Sequence, residues 1–451
     1  MTPRLTPLFL LAATAAVVVA SCGPTQPEPA PVPQAAPGGE VAHAVPAQPW
    51  ADSGPGGLPS APLPPDTVVS TMDVRVGVVI GVPEITLGGA DPLVITDPAG
   101  GRLQDIIAGA SWRVRSSGAG MTLSGPAGLD GGRVDAVVVS PLHPGQFVRI
   151  DGRNYRGEVA IIAGPAGLTA VNRLGIESYL AGVLSAEMGR RDPIEGQAVY
   201  AQAVISRTYA VRNRGKRRAL GFDLYGTVAD QVYGGVGSET AMSWEAVRAT
   251  RAQVLTWRGR PIDAFFFSTC GGRTESGAAV FQLAGDPYLQ SVSDVDGDGL
   301  AYCRFSPRFR WREEYSGDSL EAMLRRTLPG LTQLSSAAVS RVEAVKVSRR
   351  TPSGRVDAVE FRLGGRRAAV SGQAVRRAFL LPNGEMLRST AFDIEERADG
   401  ARVGWLAIDG RGAGHGVGFC QWGAVGRARE GQGYEQILMA YYPSTRLEQL
   451  N

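Results

Sequence analysis

The stretch from Ile176 to Tyr209, IESYLAGVLSAEMGRRDPIEGQAVYAQAVISRTY, predicts two helices that meet at a turn. In the first helix, four apolar residues recur at helical spacing: Leu180, Val183, Leu184 and Met188. Glu187 follows Val183 by four residues, so the same periodicity places its carboxylate on the apolar face. A carboxyl group that loses water in such a position has its pKa raised, which suits a general acid near neutral pH.

The turn between the two helices carries the signals of a helix end and a helix start. Gly189 can end the first helix. The second helix is predicted to begin with a capping box and a proline at its first position: Asp192, Pro193 and Glu195. The alternative to a catalytic role is that Glu187 only forms an ion pair with Arg190 or Arg191 at the helix end.

The composition of the chain predicts a substantial core and gives no sign of nucleic-acid binding. Of the 451 residues 44% are hydrophobic, which suits one large domain or two close ones, and the formal net charge is only +3. Five cations lie between Arg212 and Arg218 with no aromatic residue among them. A solvated helix end is therefore favoured there over a nucleic-acid site, with an acidic polymer as the alternative partner.

Residues 1–21 have the pattern of a bacterial lipoprotein signal peptide. Arg4 supplies the positive start, LFLLAATAAVVVA is the apolar run, and small residues precede Cys22. We expect cleavage before Cys22 and lipidation of its thiol, which would anchor the protein to a membrane of the cell envelope, facing the periplasm or wall. Gly23 fits outer-membrane sorting where the source has two membranes. An uncleaved transmembrane anchor is disfavoured because the run is short.

The sequence predicts that residues 22–66 form the lipidated cysteine and an extended linker. It predicts one α+β domain for residues 67–451. Between Gly23 and Asp66 there are 13 of the 30 prolines and no Lys or Arg, which is typical of a tether. The rest divides into a β-rich part at about 71–174, the two helices at about 175–212 and a remainder at 213–451. The predicted fold has β-rich lobes around a helical core, with a final helix at about Tyr434 to Tyr441.

Three cysteines remain once Cys22 is assigned to the lipid: Cys270, Cys303 and Cys420. In an oxidising compartment this predicts one disulfide and one free thiol, and Cys270 with Cys303 is the preferred pair. The sequence from Asp294 to Gly299 imitates the first half of a calcium loop, but Phe305 stands where a bidentate Glu is required. An EF-hand is therefore not predicted.

The glycine-rich stretch from Gly410 to Ala424 holds six glycines around His415 and Trp422 before the final helix. It fits a loop that lies flat against a long ligand or another backbone, since the context of a dinucleotide site is missing. His415 has two interpretations of equal weight. It is either a polar contact or acid/base of the site, or a hydrogen-bonded structural histidine. A cysteine peptidase using Cys420 and His415 is disfavoured, because catalytic pairs are normally brought together by the fold.

A series of motifs in order resembles the SpoIID/LytB family, and together they cover about Val74 to Tyr442. The motifs are VNRLGIESYLAGVLSAEM with QAVYAQAVISRTYA, DQVYGG, FSTCGGRTES, VSGQAVRRAFLL with LRSTAF, and GRGAGHGVGFCQWGA followed by YEQILMAYYP. The resemblance implies a SpoIID-like fold and a peptidoglycan lytic transglycosylase. Such an enzyme cleaves the β-1,4 bond between N-acetylmuramic acid and N-acetylglucosamine and leaves a 1,6-anhydro end.

The resemblance also assigns site residues and partners. The family's catalytic glutamate falls on Glu187. Nine further motif positions are expected to line the substrate groove: Gln202, Arg207, Gln231, Tyr233, Ser268, Thr274, His415, Gln421 and Trp422. Because family members favour glycan strands stripped of stem peptides, a cell-wall amidase is an implied partner. The alternative function is a non-catalytic, peptidoglycan-binding enhancer of such an amidase.

One carboxyl group is enough for the implied reaction, whereas ordinary hydrolysis usually needs two carboxyls about 5 to 9.5 Å apart. Glu177, on the same helix, is expected roughly 15 Å from Glu187 at 1.5 Å per residue, too far to serve. No cofactor is expected. Some members hold zinc near this region with Cys and His, but this chain has Phe267 where many have His. A structural Cys₃His site would require the three cysteines to converge with His415.

Overall fold

The computed structural model describes residues 72–118, 120–126, 130–283 and 285–450. The predicted signal peptide, Cys22 and the predicted linker lie outside these residues, so those predictions remain predictions. In the part of the chain that the structure describes, no helix is long and apolar enough to span a membrane.

Twelve strands precede the first α-helix within the described residues. They are β1 (Asp73–Val82), β2 (Glu84–Gly88), β3 (Leu93–Thr96), β4 (Arg102–Ile106), β5 (Ser111–Ser117), β6 (Gly120–Ser124), β7 (Asp130–Val134), β8 (Ala136–Pro141), β9 (Val148–Ile150), β10 (Arg153–Tyr155), β11 (Glu158–Gly164) and β12 (Gly167–Gly175). Their residues alternate between core and solvent: in β5, Trp112 and Val114 are buried while Arg113 is exposed. The sequence predicted a β-rich part at about 71–174, and the structure has short strands there.

Helices and shorter strands make up the rest of the chain. In order they are α1 (Ile176–Met188), α2 (Gly196–Arg212), β13 (Leu224–Tyr225), α3 (Ala241–Ala249), β14 (Gln253–Trp257), β15 (Arg260–Pro261), β16 (Phe266–Phe267), α4 (Gly277–Phe281), β17 (Arg310–Ser316), α5 (Gly317–Thr327), β18 (Val342–Arg350), β19 (Val356–Leu363), β20 (Arg366–Ser371), α6 (Val375–Ala378), β21 (Phe392–Asp399), β22 (Arg402–Arg411), β23 (Phe419–Cys420), α7 (Gln421–Arg429), α8 (Tyr434–Tyr441) and β24 (Arg446–Gln449). The prediction of an α+β fold is confirmed, and α8 has the predicted bounds.

The strands form two large sheets and several small ones. The larger sheets have the orders β13-β1-β12-β11-β8-β3-β4 and β10-β9-β2-β5-β6-β7. The small sheets are β15-β14-β24, β16-β23, β17-β22-β21 and β18-β19-β20. Buried residues of the two large sheets and of α1 share one core, which includes Ile85, Trp112, Val137, Tyr179 and Leu184. The sheets therefore fix the position of α1.

The start and the end of α1 are both set by local chemistry. Strand β12 runs into α1 without a loop, and the Ile176 N–H donates to the Met72 carbonyl at 2.9 Å. The four apolar residues of the predicted stripe are all buried: Leu180, Val183, Leu184 and Met188. Gly189 follows with a φ of 69°, a left-handed conformation that suits glycine and ends the helix.

The start of α2 differs from the prediction by one turn. Pro193–Glu195 forms a short 3₁₀ turn, and the α-helix begins only at Gly196. The Glu195 carboxylate accepts the Asp192 N–H at 3.2 Å, so the predicted capping interaction belongs to the 3₁₀ turn. A tight first turn of this kind is common at helix starts and is not visible in a periodicity pattern.

Candidate active site

Glu187 lies in the last turn of α1, half-buried between two distant segments of the chain. The backbone N–H of Val232 donates to its Oε1 at 2.6 Å, and the Gln421 side chain donates from Nε2 to its Oε2 at 3.5 Å. Val232 belongs to the loop before α3, and Gln421 is the first residue of α7. Both partners are neutral donors.

The environment of Glu187 raises the pKa of its carboxyl group from the usual 4.5 to about 7. Loss of water on burial is the main cause, and the hydrogen bonds from Val232 and Gln421 oppose it because they favour the charged form. No cation in the described part of the chain lies within ion-pairing distance of the carboxylate. The structure therefore lacks the alternative pairing of Glu187 with Arg190 or Arg191.

Arg191 instead covers the neighbouring aromatic residue. Its Nε donates to the Met188 carbonyl at 2.6 Å, and its guanidinium lies 4.4 Å from the centre of the Trp422 ring. The Glu195 carboxylate is 3.7 Å from the guanidinium. The Trp422 ring, next in the chain to Gln421, thus carries a cation on one face.

The loop that brings Val232 to Glu187 is held by close backbone packing against α1. The Gly234 N–H donates to the Gly182 carbonyl at 3.2 Å. A Cβ on Gly182 would lie 2.6 Å from the Tyr233 ring, so a larger residue would push the loop away. The Tyr233 hydroxyl donates to Asn172 at 2.9 Å in the core. The resemblance placed Tyr233 in the groove, but it is only 3% exposed and packs in the core, where it supports the loop.

The start of α7 is held in a similar way by the strand that precedes it. β23 pairs with β16 in parallel, so Cys420 lies opposite Phe267. The Trp422 N–H donates to the Ser268 carbonyl at 3.0 Å. Further along α7, the Arg429 guanidinium binds the Glu195 carboxylate, which ties this helix to the turn before α2.

The structure brings only some of the nine expected groove residues to Glu187. Gln421 and Trp422 lie at the site, and Ser268 is half-buried next to them with its hydroxyl 3.1 Å from that of Thr269. Thr274 is buried, and its hydroxyl accepts the Val292 N–H at 2.8 Å. It fastens one loop to another and does not face solvent.

Arg207 is placed in the core and not on the groove. Its side chain is fully buried, and its guanidinium forms a bidentate pair with Glu177, at 2.9 Å from Nε and 2.5 Å from Nη2. Nη1 donates to the Gln253 carbonyl at 3.2 Å. The resemblance predicted that Arg207 contacts substrate. The structure instead shows it in a buried ion pair with Glu177, 30 residues earlier in the chain.

Two glutamines keep unpaired polar atoms in the core. Gln202 donates to the Ser206 hydroxyl at 3.0 Å, but its Oε1 has no partner among the described residues. Gln231 accepts the Tyr179 hydroxyl at 3.1 Å, and its Nε2 likewise finds no partner within them. Gln231 directly precedes Val232, so it belongs to the loop that holds Glu187.

His415 has a structural environment. Its Nδ1 accepts the Val417 N–H at 3.1 Å and its Nε2 lies 2.9 Å from the Phe266 carbonyl, which together define the neutral tautomer protonated at Nε2. Burial lowers the pKa of the ring from 6.5 to about 4. Both nitrogens contact backbone groups in this structure, and His415 is not among the residues that cluster with the three cysteines.

The three cysteines converge without His415. Cys270, Cys303 and Cys420 are buried and present as free thiols, with 3.5 Å between the sulfurs of Cys270 and Cys303. The preferred disulfide between these two is therefore not formed in this structure. The fourth group in the cluster is Asp294, which accepts from the Cys270 thiol at 3.1 Å. From the sequence, Asp294 had no predicted role apart from its position in a stretch that imitates half of a calcium loop.

The fold is α+β. Its candidate site is a half-buried glutamate with a raised pKa, in the last turn of a helix that packs against a β-sheet. A family model described as Stage II sporulation protein matches residues 165–257, which contain α1, α2 and Glu187. A domain of unknown function matches residues 303–418.

Curated relatives extend this similarity. An uncharacterised protein of Brachyspira hyodysenteriae is 32% identical over 65% of this chain and 72% of its own length. Stage II sporulation protein D of Bacillus subtilis is 28% identical, over 62% of this chain and 76% of its own. The Amidase enhancer of Bacillus subtilis is 28% identical over 59% of this chain and only 40% of its own. The chain belongs to the SpoIID/LytB family.

Proposed function

We propose that this protein is a peptidoglycan lytic transglycosylase in which Glu187 is the only acid/base. The observation that carries the proposal is the state of this carboxyl group. It is half-buried, has a pKa near 7 and is held by two neutral donors with no described cation beside it. About half of such groups carry a proton at neutral pH, so the group can both give and take one.

The reaction needs one proton donor that becomes an acceptor. Protonated Glu187 donates to the glycosidic oxygen as the bond from C1 of N-acetylmuramic acid to O4 of N-acetylglucosamine breaks. The C6 hydroxyl of the muramic acid then closes on C1, and its proton returns to the Glu187 carboxylate. The products are a 1,6-anhydro end and a free 4-hydroxyl, and no water is consumed.

A second carboxylate is not required, and the same helix does not supply one. Glu177 has both oxygens engaged by Arg207 inside the core. A hydrolase would need a second carboxylate to activate water or to attack the sugar. This favours ring closure by the substrate's own hydroxyl.

The surface around Glu187 suits a sugar chain. Trp422 offers an aromatic face and Gln421 an amide, and sugars use both kinds of contact. We expect strands without stem peptides as substrate and a cell-wall amidase as the upstream partner. The expected lipid on Cys22 and the linker would place the domain in the cell envelope, on the outer membrane where there are two.

The second candidate function is that of a non-catalytic enhancer of a cell-wall amidase. It is favoured by the 28% identity to a relative named Amidase enhancer. Under this hypothesis Glu187 would serve binding or folding only.

The experiment that separates these functions is mass spectrometry of the products from peptide-free glycan strands. The full chain is compared with Glu187→Gln and with Glu360→Gln, which changes an exposed acid on β19. We expect anhydro-muramyl ends from the wild type and from Glu360→Gln, and a loss of about 10²-fold or more in Glu187→Gln.

Other outcomes would contradict the proposal. Strand binding without products from any variant would support the amidase-enhancing function. Reducing ends in place of anhydro ends would show a hydrolase with a second carboxylate.

A further inference from the structure

The strongest feature outside the Glu187 site is a buried cluster of four metal-ligand side chains. We propose that Cys270, Asp294, Cys303 and Cys420 bind one divalent metal ion of the zinc type as a closed Cys₃Asp site. Their ligand atoms all lie within 4.8 Å of one another, and all four residues are buried. Three thiolates and a carboxylate are a donor set that suits Zn²⁺.

The distances within the cluster are those of a coordination shell. Two sulfurs bound to one tetrahedral zinc at about 2.3 Å lie roughly 3.8 Å apart. The sulfurs of Cys270 and Cys303 are 3.5 Å apart, and the Cys270 sulfur is 3.1 Å from Oδ2 of Asp294. A disulfide would require about 2.05 Å between the sulfurs. The distance between the two sulfurs is therefore closer to that of two ligands of one metal ion than to that of a disulfide bond.

Backbone N–H groups point at the sulfurs, as expected for thiolates. The Cys270 N–H donates to the Cys420 sulfur at 3.1 Å, and the Gly423 N–H donates to the same sulfur at 3.2 Å. The Gly272 N–H donates to the Cys270 sulfur at 3.2 Å. Donors of this kind orient ligands and offset their negative charge.

Two buried guanidinium groups flank the cluster and match the charge of a metal-bound state. Three thiolates, one carboxylate and a divalent ion sum to a charge of −2. Arg427 donates to Oδ1 of Asp294 at 3.1 Å, and Arg355 donates to the Cys270 carbonyl at 2.8 Å. Arg355 is 3% exposed, and the acceptors of its described hydrogen bonds are backbone carbonyls. A buried cation needs a counter-charge, and the loaded cluster supplies one.

The four ligands come from three separate segments, so the metal ion would hold these segments together. Cys270 follows β16, Asp294 and Cys303 flank the loop before β17, and Cys420 directly precedes Gln421. This last connection relates the site to the proposed function, because Gln421 contacts Glu187. All four positions are filled by protein, so the ion has a structural role and takes no part in the reaction.

The test is metal binding, measured without substrate so that it is independent of the proposed activity. The full chain is purified under reducing conditions, its metal content is determined by elemental analysis, and Zn²⁺ and Co²⁺ are titrated into the stripped protein. We expect one ion per chain and, with Co²⁺, the absorption bands of tetrahedral thiolate coordination. Cys303→Ser should abolish these bands, and Asp294→Asn should weaken Zn²⁺ binding by about tenfold or more.

Matched variants distinguish this site from its alternatives. Asp298→Asn, an exposed acid of the same loop, and His415→Gln should bind Zn²⁺ as the wild type does. Wild-type protein that binds neither ion, with Cys270, Cys303 and Cys420 all open to alkylation after unfolding, would overturn the proposal. A mass two hydrogens lower, with Cys270 joined to Cys303, would overturn it in favour of the disulfide. Loss of binding in His415→Gln but not in Asp294→Asn would overturn the role of Asp294.

Discussion

The two ends of helix α1 carry the same residue type in opposite electrostatic settings. At the first turn, Glu177 is 4% exposed and its carboxylate receives two hydrogen bonds from the guanidinium of Arg207 and one from the Ala252 N–H. At the last turn, Glu187 is half-buried and receives only two neutral donors. Both carboxylates have lost water, but only the first has gained a cation.

This difference decides what each carboxylate can do. A buried charge paired with a guanidinium is a fixed structural connection, because breaking it would leave the partner uncompensated. A carboxyl group that is desolvated without a cation has a pKa near neutral and can exchange its proton. Glu177 thus holds α1 to α2, whereas the carboxyl group of Glu187 can exchange its proton near neutral pH.

The largest effect is expected from breaking the pair at the first end. Glu177→Gln would leave the fully buried Arg207 without its counter-charge and lower the free energy of unfolding by about 3–5 kcal/mol. Denaturant unfolding followed by circular dichroism measures this. The double variant Glu177→Gln/Arg207→Met removes both charges and should recover part of the loss. Equal stability of the wild type and Glu177→Gln would contradict the structural role.

A smaller, pH-dependent effect is expected at the second end. The pKa of Glu187 is higher in the folded state, about 7, than its usual 4.5, so the folded state binds the proton more tightly. The associated stability is fully present below pH 4.5 and is lost as the pH rises to about 7. We expect the wild type to lose about 1–3 kcal/mol relative to Glu187→Gln over this range, allowing for partial exposure.

Unfolding free energies of both proteins at several pH values between 4.5 and 7.5 check this expectation. The control is Glu360→Gln, which should follow the wild type because this residue is exposed. Parallel curves for the wild type and Glu187→Gln would show that the carboxyl group titrates normally.

The smallest effect is expected from the amide that contacts Glu187. Gln421→Met removes a 3.5 Å hydrogen bond that favours the charged carboxylate, so the pKa of Glu187 should rise further. If Glu187 must be protonated to act, activity falls above about pH 7, and the variant should move this limb upward by less than about one pH unit. Rates of anhydro-end formation against pH measure the shift. A downward shift would mean that the amide stabilises the protonated form.

Local patterns were enough to predict the fold class and the helix that carries Glu187. The apolar spacing of α1 and the glycine that ends it are short-range signals, and the structure confirms both. The β-rich part and the final helix lie where the sequence predicted them. The start of α2 was less predictable, because one turn of 3₁₀ helix leaves no distinct pattern.

The site was predicted less completely, since its geometry depends on distant contacts. Val232 acts through its backbone N–H, which no side-chain motif can reveal. The role of Arg207 depended on a partner 30 residues away, and that of Asp294 on three cysteines from two other segments and its own loop. The resemblance placed Arg207 and Thr274 in the groove, but a motif position does not separate a substrate contact from a buried support.

The contacts of Glu187 also have a consequence for the order in which the protein becomes competent. Gln421 follows Glu187 by 234 residues, so the surroundings of the acid are completed only when α7 docks. The sheet that follows is closed by β24, which pairs with β14 from the middle of the chain. A chain that has been synthesised only as far as α2 therefore already carries Glu187 but lacks Gln421 beside it. The candidate site is complete only after α7 and β24 have been made and have packed against the earlier part of the chain.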